Sequence, residues 1–175
     1  MLLSRDELIA SLFRETDRAQ RMKTGLAVIL CGIDDWESWR SRLGEHALQE
    51  AEREITTRII GLLRCYDLVG RYGDGEFALL LPGCNSFKAC SMANRLSFAF
   101  NSELRAGDEE MRFTGCFGVA GSGGRSPVVV LRNAENALRN ARMRGSGSVE
   151  RSSYDVEPDP ATLLMPVIEY NGHHW

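Results

Sequence analysis

Apolar residues recur along this chain at two spacings, one typical of helices and one typical of buried strands. Residues 8, 9, 12 and 13 are apolar, and this spacing predicts one face of a helix that ends near Met22. Ser4, with Glu7 three residues later, forms a capping-box pattern that predicts where the helix begins. Leu26 to Ile33 is almost continuously apolar, which indicates a strand buried on both faces.

The same two spacings predict the remaining elements as far as residue 154. After residue 33 we expect, in order, a short helix around Trp36 and Trp39, a longer helix over residues 47–63, a hairpin, a helix capped by Ser86, a strand over residues 112–120, a helix opened by Ser126 and Pro127 and ended by Gly145, and a strand over residues 148–154. This mixture of helices and strands predicts an α/β (α+β) fold.

The hairpin is centred on residues 73–75, Gly-Asp-Gly, which lie between two strand-like runs at residues 67–72 and 77–81. We expect the glycines to provide the positive-φ residues that a tight turn needs. The turn then holds two carboxylates, Asp74 and Glu76, at an exposed corner. Turn chemistry alone favours a plain hairpin with no further role.

Composition narrows the class of protein and its partners. The 175 residues are 43% hydrophobic and 26% charged, which suits one domain with a sizeable core. The net charge of −3 gives no electrostatic reason to expect a nucleic-acid or anionic-membrane partner. The longest apolar run, residues 26–31, is too short to span a bilayer, and no signal peptide is visible. We therefore expect a cytoplasmic protein.

Cysteines and histidines do not form a metal-binding pattern. The five cysteines have no CxxC spacing, and we expect them to be reduced residues, several of them in the core. His46, His173 and His174 have no cysteine or histidine partners at the spacing that zinc ligands require. We therefore expect no zinc site.

Three segments, in the same order, resemble the GGDEF domains, the family of the diguanylate cyclases. Residues 71–77 read Arg-Tyr-Gly-Asp-Gly-Glu-Phe where the family has Arg-x-Gly-Gly-Asp/Glu-Glu-Phe. Residues 114–120 match its Thr-Val-Ser-Ile-Gly-Val-Ala strand, and residues 134–145 match the helix and glycine with which the family pattern ends. The resemblance implies a bacterial signalling domain with a mostly antiparallel central sheet wrapped by helices, similar to the palm of adenylyl cyclases and polymerases.

The resemblance covers residues 3–154, and residues 155–175 form a separate tail. The tail begins with a polar, proline-containing linker and continues with the apolar residues 163–170. We expect the tail to fold back on its own domain. The alternative is a contact with a partner or with a second copy of the chain.

Compared with the family, the signature hairpin has lost the acidic residue at its third position. Its five residues here are Gly73, Asp74, Gly75, Glu76 and Phe77. Asp74 replaces the second glycine, and Gly75 stands where the family has an acidic residue that binds metal. The resemblance also places Gly32 where the family has a metal-binding aspartate. Because divalent cations need carboxylate oxygens at fixed positions, we predict that Mg²⁺ does not bind.

Positions that contact the substrate in the family are altered as well. Glu37 stands at a phosphate-contacting lysine, and Arg40 and Gln49 stand at the two residues that read guanine. Arg142 keeps the charge of a phosphate-binding lysine, but Ser146 replaces the arginine that follows it. We therefore predict a catalytically inactive domain with no catalytic residues and no required cofactor.

A weak cyclase with a relocated metal site is one alternative. Asp34, Asp74 and Glu76 are the carboxylates from which such a site would be built. Neighbouring residues of a strand face opposite sides, so Asp34 is not a simple substitute for a carboxylate at the strand end. We favour the inactive domain over this alternative.

A second group of residues matches the family intact. Arg64 and Asp67 precede the hairpin at the spacing of the family's RxxD inhibitory site, and Arg95 stands where a third residue of that site belongs. The resemblance implies that these residues bind cyclic di-GMP. Guanidinium groups form forked hydrogen bonds with phosphate and guanine, and a carboxylate accepts from guanine N–H groups. The alternative is a simple surface ion pair between Arg64 and Asp67.

Together these residues predict a cyclic di-GMP receptor that binds through Arg64, Asp67 and Arg95 and signals to an unidentified protein partner. An interaction module is the alternative from another class of protein. Such a module binds no nucleotide and uses the helix around Trp36 and Trp39, or the tail, for a homodimer or partner contact.

Overall fold

The computed structural model describes residues 1–155, which form five helices and eight strands. The helices are α1 (Arg5–Met22), α2 (Trp36–Arg42), α3 (Glu45–Leu62), α4 (Ser86–Phe100) and α5 (Pro127–Arg144). The strands are β1 (Leu2–Leu3), β2 (Leu26–Ile33), β3 (Leu68–Gly73), β4 (Glu76–Pro82), β5 (Ser102–Ala106), β6 (Glu109–Phe113), β7 (Gly115–Gly121) and β8 (Val149–Arg151). The apolar tail segment at residues 163–170 lies outside the described residues, so both roles considered for it stay predictions.

Six strands form the central sheet in the order β1-β3-β4-β2-β7-β8. The three inner pairs, β3 with β4, β4 with β2 and β2 with β7, are antiparallel. The two edge pairs, β1 with β3 and β7 with β8, are parallel. The predicted mostly antiparallel sheet is therefore confirmed, with a parallel pair added at each edge.

The central strand β2 separates two hydrophobic cores. All eight of its residues are buried, which confirms the prediction of a strand covered on both faces. Ile29 and Cys31 belong to a core shared with α3 and α4, whereas Val28 and Leu30 belong to a core shared with α1 and α5. The alternation of side chains along β2 thus produces a sheet with helices on both faces.

Close contact between α5 and the sheet depends on Gly118 of β7. A Cβ atom at this residue would lie only 2.7 Å from Cα of Leu138 and would overlap backbone atoms of Ala134 and Leu138. Because backbone cannot move aside as a side chain can, only glycine allows α5 to sit at this depth. The position of α5 matters for the site, since its last turn carries Arg142.

Helix boundaries agree with most of the predictions, with one correction. The Ser4 capping box forms at the start of α1, Pro127 opens α5, and Gly145 caps its end. Helix α4, however, is capped by Asn85 rather than by Ser86, because the Asn85 side chain accepts a hydrogen bond of 2.9 Å from the backbone N–H of Lys88.

The strand predicted over residues 112–120 is wrong in its extent. The chain changes sheets at Thr114, whose carbonyl accepts from the backbone N–H of Asp34 at 3.0 Å. Before this residue, β6 pairs with β5 in a separate two-stranded sheet, and after it β7 pairs with β2. Sequence alternation hides this change because both strands are apolar on their inward faces.

The hairpin turn also differs in detail from the prediction. Gly73 pairs with Glu76, so the turn consists of Asp74 and Gly75 alone. Of residues 73–75, only Gly75 has a positive φ, of +63°. One glycine therefore meets the backbone requirement of this turn, and Gly73 is the last residue of β3, just after a shift in the register between β3 and β4.

Candidate functional site

The signature turn docks against the start of α2. The backbone carbonyl of Gly75 accepts a hydrogen bond of 2.9 Å from the N–H of Ile33 at the end of β2. A Cβ atom at Gly75 would lie 2.6 Å from Cδ2 and 2.8 Å from Cβ of Trp36, and it would overlap Cγ of the same side chain. Because Trp36 is buried, the space that an acidic side chain at residue 75 needs is filled by an indole ring.

The surviving acidic residue of the signature, Glu76, pairs with an arginine. Nη2 of Arg142 donates to Oε1 of Glu76 at 2.7 Å. The same guanidinium covers Gly32, the residue directly opposite Glu76 in the β2–β4 pair. A positive side chain therefore lies against Gly32, the position at which the family resemblance implies a metal-binding aspartate.

Asp34, Asp74 and Glu76 have separate partners. Asp34 accepts hydrogen bonds from the Thr114 hydroxyl at 2.6 Å and from the Cys116 thiol at 3.3 Å. Asp74 forms an ion pair with Arg40. Within residues 1–155, no three acidic, histidine or cysteine side chains are close enough together to hold a metal ion. The structure thus does not assemble the relocated metal site considered above, and its residues do not fit a divalent cation.

A cleft of about 570 Å³ lies between α2, α3 and the hairpin. Arg40 and Gln49, which stand at the family's guanine-reading positions, both line it. Arg71 crosses the cleft to form two hydrogen bonds with Glu52, at 2.7 and 2.6 Å. Glu37 is exposed on α2, outside the set of lining residues.

A second pocket, of about 250 Å³, brings together the three predicted ligand residues. Arg64 and Asp67 come from the loop between α3 and β3, and Arg95 comes from α4. Lys88 also lines the pocket, and it lies seven residues before Arg95 on the same face of α4. Lys88 was not predicted from the sequence, although its seven-residue helical spacing from Arg95 indicates that both side chains lie on one face of α4.

Asp67 is held in a fixed orientation by the backbone. Its Oδ2 accepts a hydrogen bond of 2.8 Å from the N–H of Arg64, and its own N–H donates to the carbonyl of Arg64 at 3.1 Å. The Arg64 side chain turns elsewhere, with Nη1 donating to the Tyr66 hydroxyl at 3.0 Å. The simple ion pair between Arg64 and Asp67 is therefore not formed in the described part of the chain, and both charged groups stay accessible to a ligand.

Tyr66 contacts the guanidinium of Arg64 through both its ring and its hydroxyl. The Arg64 guanidinium lies 5.9 Å from the centroid of the Tyr66 ring, within reach of a cation–π contact. The hydrogen bond that Arg64 donates to the Tyr66 hydroxyl raises the pKa of Arg64. Tyr66 was a further residue that the sequence analysis did not include.

A mixed sheet with helices on both faces, and a signature hairpin beside its central strand, defines the class of domain expected from the sequence. The family model described as diguanylate cyclase, GGDEF domain, matches residues 1–148. The chain belongs to this family.

Named relatives agree with the family. The diguanylate cyclase DosC of Escherichia coli K12 is 27% identical over 152 residues, covering 85% of this chain and 33% of DosC. The diguanylate cyclase TpbB of Pseudomonas aeruginosa is 30% identical over 141 residues, covering 78% of this chain and 32% of TpbB. The chain thus spans about a third of the length of these relatives.

Solved structures confirm the fold. The crystal structure of the TpbB GGDEF domain superposes with a TM-score of 0.82 at 26% identity, covering 88% of this chain and 98% of that one. The GGDEF domain of DgcB from Caulobacter crescentus, solved in complex with c-di-GMP, has a TM-score of 0.81 at 20% identity, covering 87% and 89% of the two chains. Among the described helices of this chain, none combines the length and the apolar character that crossing a membrane requires.

Proposed function

We propose that this domain is a catalytically inactive GGDEF domain that acts as a cyclic di-GMP receptor. The observation that carries the proposal is the convergence of Arg64, Asp67 and Arg95 on one pocket. These residues are separated by up to 31 positions (95 minus 64) and come from different elements, so their convergence depends on the tertiary fold.

The chemistry of the pocket suits a cyclic dinucleotide. The ligand carries two phosphates and two guanines, and arginine serves both, by forked hydrogen bonds to phosphate and by stacking on a purine. The second oxygen of Asp67 accepts from a guanine N–H while the first stays bound to the backbone of Arg64. Lys88 adds a further positive charge beside the phosphates. The complex of DgcB with c-di-GMP supports the proposal at the level of the fold.

Catalytic inactivity is supported by the residues around the signature hairpin. Gly32 and Gly75 provide no carboxylate, and Trp36 fills the space beside Gly75. Arg40, at a guanine-reading position, is paired with Asp74 on the opposite wall of the cleft. Removal of metal ligands removes both activation of the nucleophile and neutralisation of the transferring phosphoryl group. We expect no conversion of GTP with Mg²⁺ to cyclic di-GMP, measured chromatographically.

Calorimetric titration with cyclic di-GMP tests the receptor proposal. The wild-type protein should bind, and Arg64→Ala should weaken binding about tenfold to a hundredfold, because a charge-assisted hydrogen bond contributes about 1.5–3 kcal/mol. Arg64→Lys should also weaken binding, since an ammonium group cannot form the fork. Arg53→Ala is the matched control, because Arg53 is exposed on α3 and lies outside the pocket.

Two results contradict the proposal. If the wild-type protein releases no heat and shows no chemical-shift change with excess cyclic di-GMP, the receptor role is wrong and the interaction module replaces it. If purified protein forms product from GTP above a heat-inactivated control, the domain is an active enzyme.

A further inference from the structure

The guanidinium of Arg142 occupies the space where a side chain of residue 32 would lie. A Cβ atom at Gly32 would lie 3.0 Å from Cζ and 3.2 Å from Nε of Arg142, and it would overlap Nη2. Arginine can occupy this position only because residue 32 has no side chain. Gly32 and Arg142 are therefore matched to each other, although they are 110 positions apart along the chain.

Strand pairing places Glu76 on the same side of the sheet as this guanidinium. Gly32 is directly opposite Glu76 across the antiparallel β2–β4 pair, and directly opposed residues point to the same face. Ala78 and Leu80, which follow Glu76 at alternate positions of β4, belong to the core that contacts α5. Glu76 and Arg142 are therefore brought together by the sheet and by the depth at which α5 packs.

The position of Arg142 on its helix favours a cation. Arg142 lies in the last turn of α5, where the carbonyl groups at the helix end give a partial negative charge. Its Nη2 donates to Glu76 at 2.7 Å, and the Glu76 side chain is 27% exposed. The half-buried carboxylate of Glu76 is thus neutralised by Arg142, a side chain of the same protein.

A divalent metal ion does not fit the same place. Carboxylates are absent at Gly32 and Gly75, and the described residues contain no cluster of three ligating side chains. Hard cations such as Mg²⁺ and Mn²⁺ require several oxygen ligands, whereas one carboxylate remains here. The guanidinium also fills the space beside Gly32 from which a carboxylate would have to reach an ion.

We propose that Arg142, which stands where the family has a phosphate-binding lysine, is turned onto Glu76 in this chain and supplies its countercharge, and that Gly32 provides the space for it. The domain then keeps the arrangement of its signature strand and α5 without any divalent cation. Metal binding at this site is blocked by the guanidinium as well as by the loss of carboxylates. This inference does not depend on the pocket that contains Arg64.

Titration with Mn²⁺ alone, followed by water-proton relaxation, tests the proposal on double variants. Gly32→Asp supplies a second carboxylate opposite Glu76, and the flexible end of Arg142 can move aside to pair with it. Gly32→Asp with Arg142→Ala should therefore bind Mn²⁺ at least about tenfold more tightly than Gly32→Asp with Arg139→Ala. Arg139 is the matched control because it is an exposed arginine of α5 whose guanidinium bonds to Asn136.

A second measurement keeps Gly32 and is independent of how the aspartate variants fold. In buffer free of divalent cations, Arg142→Ala should lower the melting temperature in the wild-type background and should have a smaller effect in the Glu76→Gln background, because Arg142 has then already lost its charged partner. Equal Mn²⁺ affinity of the two double variants, or an equal effect of Arg142→Ala in the two backgrounds, would overturn the proposal.

Discussion

Gly75→Ala should destabilise the protein by about 2–5 kcal/mol, because the added Cβ meets two separate obstacles. The first is the backbone, since Gly75 has φ +63° and a left-handed conformation costs an L-residue about 1–2 kcal/mol. The second is the Trp36 side chain, whose Cδ2 would lie 2.6 Å from the new atom. Overpacking of this kind in a dense core costs about 1–3 kcal/mol.

Gly83→Ala separates these two contributions. Gly83 has φ +71°, similar to Gly75, but no atom lies within 4 Å of its ideal Cβ. This control should lose only the backbone contribution, about 1–2 kcal/mol. Urea unfolding, followed by circular dichroism and tryptophan fluorescence, measures both variants against wild type. Equal losses for the two glycines would show that Trp36 does not fill the space beside the turn.

The same contact limits attempts to restore the signature. Gly75→Asp introduces the acidic group of the family pattern at a residue whose side-chain space belongs to Trp36. The new carboxylate can be accommodated only if Trp36 moves, and Trp36 packs against Trp39 with ring centroids 5.9 Å apart. The loss of the acid and the presence of the indole are therefore linked in this chain.

Two further predictions concern stability. Burial, together with the hydrogen bond that the Tyr72 hydroxyl donates to Glu135, raises the pKa of Tyr72 to about 12. Because the unfolded phenol loses its proton near pH 10.0, the stability that the neutral phenol contributes is complete below that pH and falls as pH rises towards 12. Phenolate absorbance in wild type and Tyr72→Phe measures this titration, and a Tyr72 phenolate formed at pH 10 would contradict it. Ser4→Ala should lower the free energy of unfolding, measured in urea, by about 0.5–2 kcal/mol because it removes the capping box of α1. Ser126→Ala should lower it by less, because Ser126 caps α5 without a side-chain hydrogen bond.

Interactions between near neighbours were predicted from the sequence because the residues that make them are close along the chain. The Ser4 capping box joins residues three positions apart, and the burial of β2 on both faces follows from its unbroken apolar run. The signature hairpin was also predicted, since its strands are joined by a turn of two residues. The family pattern then indicated which acidic positions were changed.

Tertiary structure alone decided how the changed positions are filled. Trp36 occupies the space beside Gly75, and Arg142 covers Gly32 and pairs with Glu76. Lys88 joins the pocket of Arg64 only because α4 packs beside the loop that follows α3. These contacts join residues distant in sequence, and their partners depend on strand register and helix depth. Spacing along the chain determines which face of an element a residue lies on, but packing determines which distant side chain meets it there.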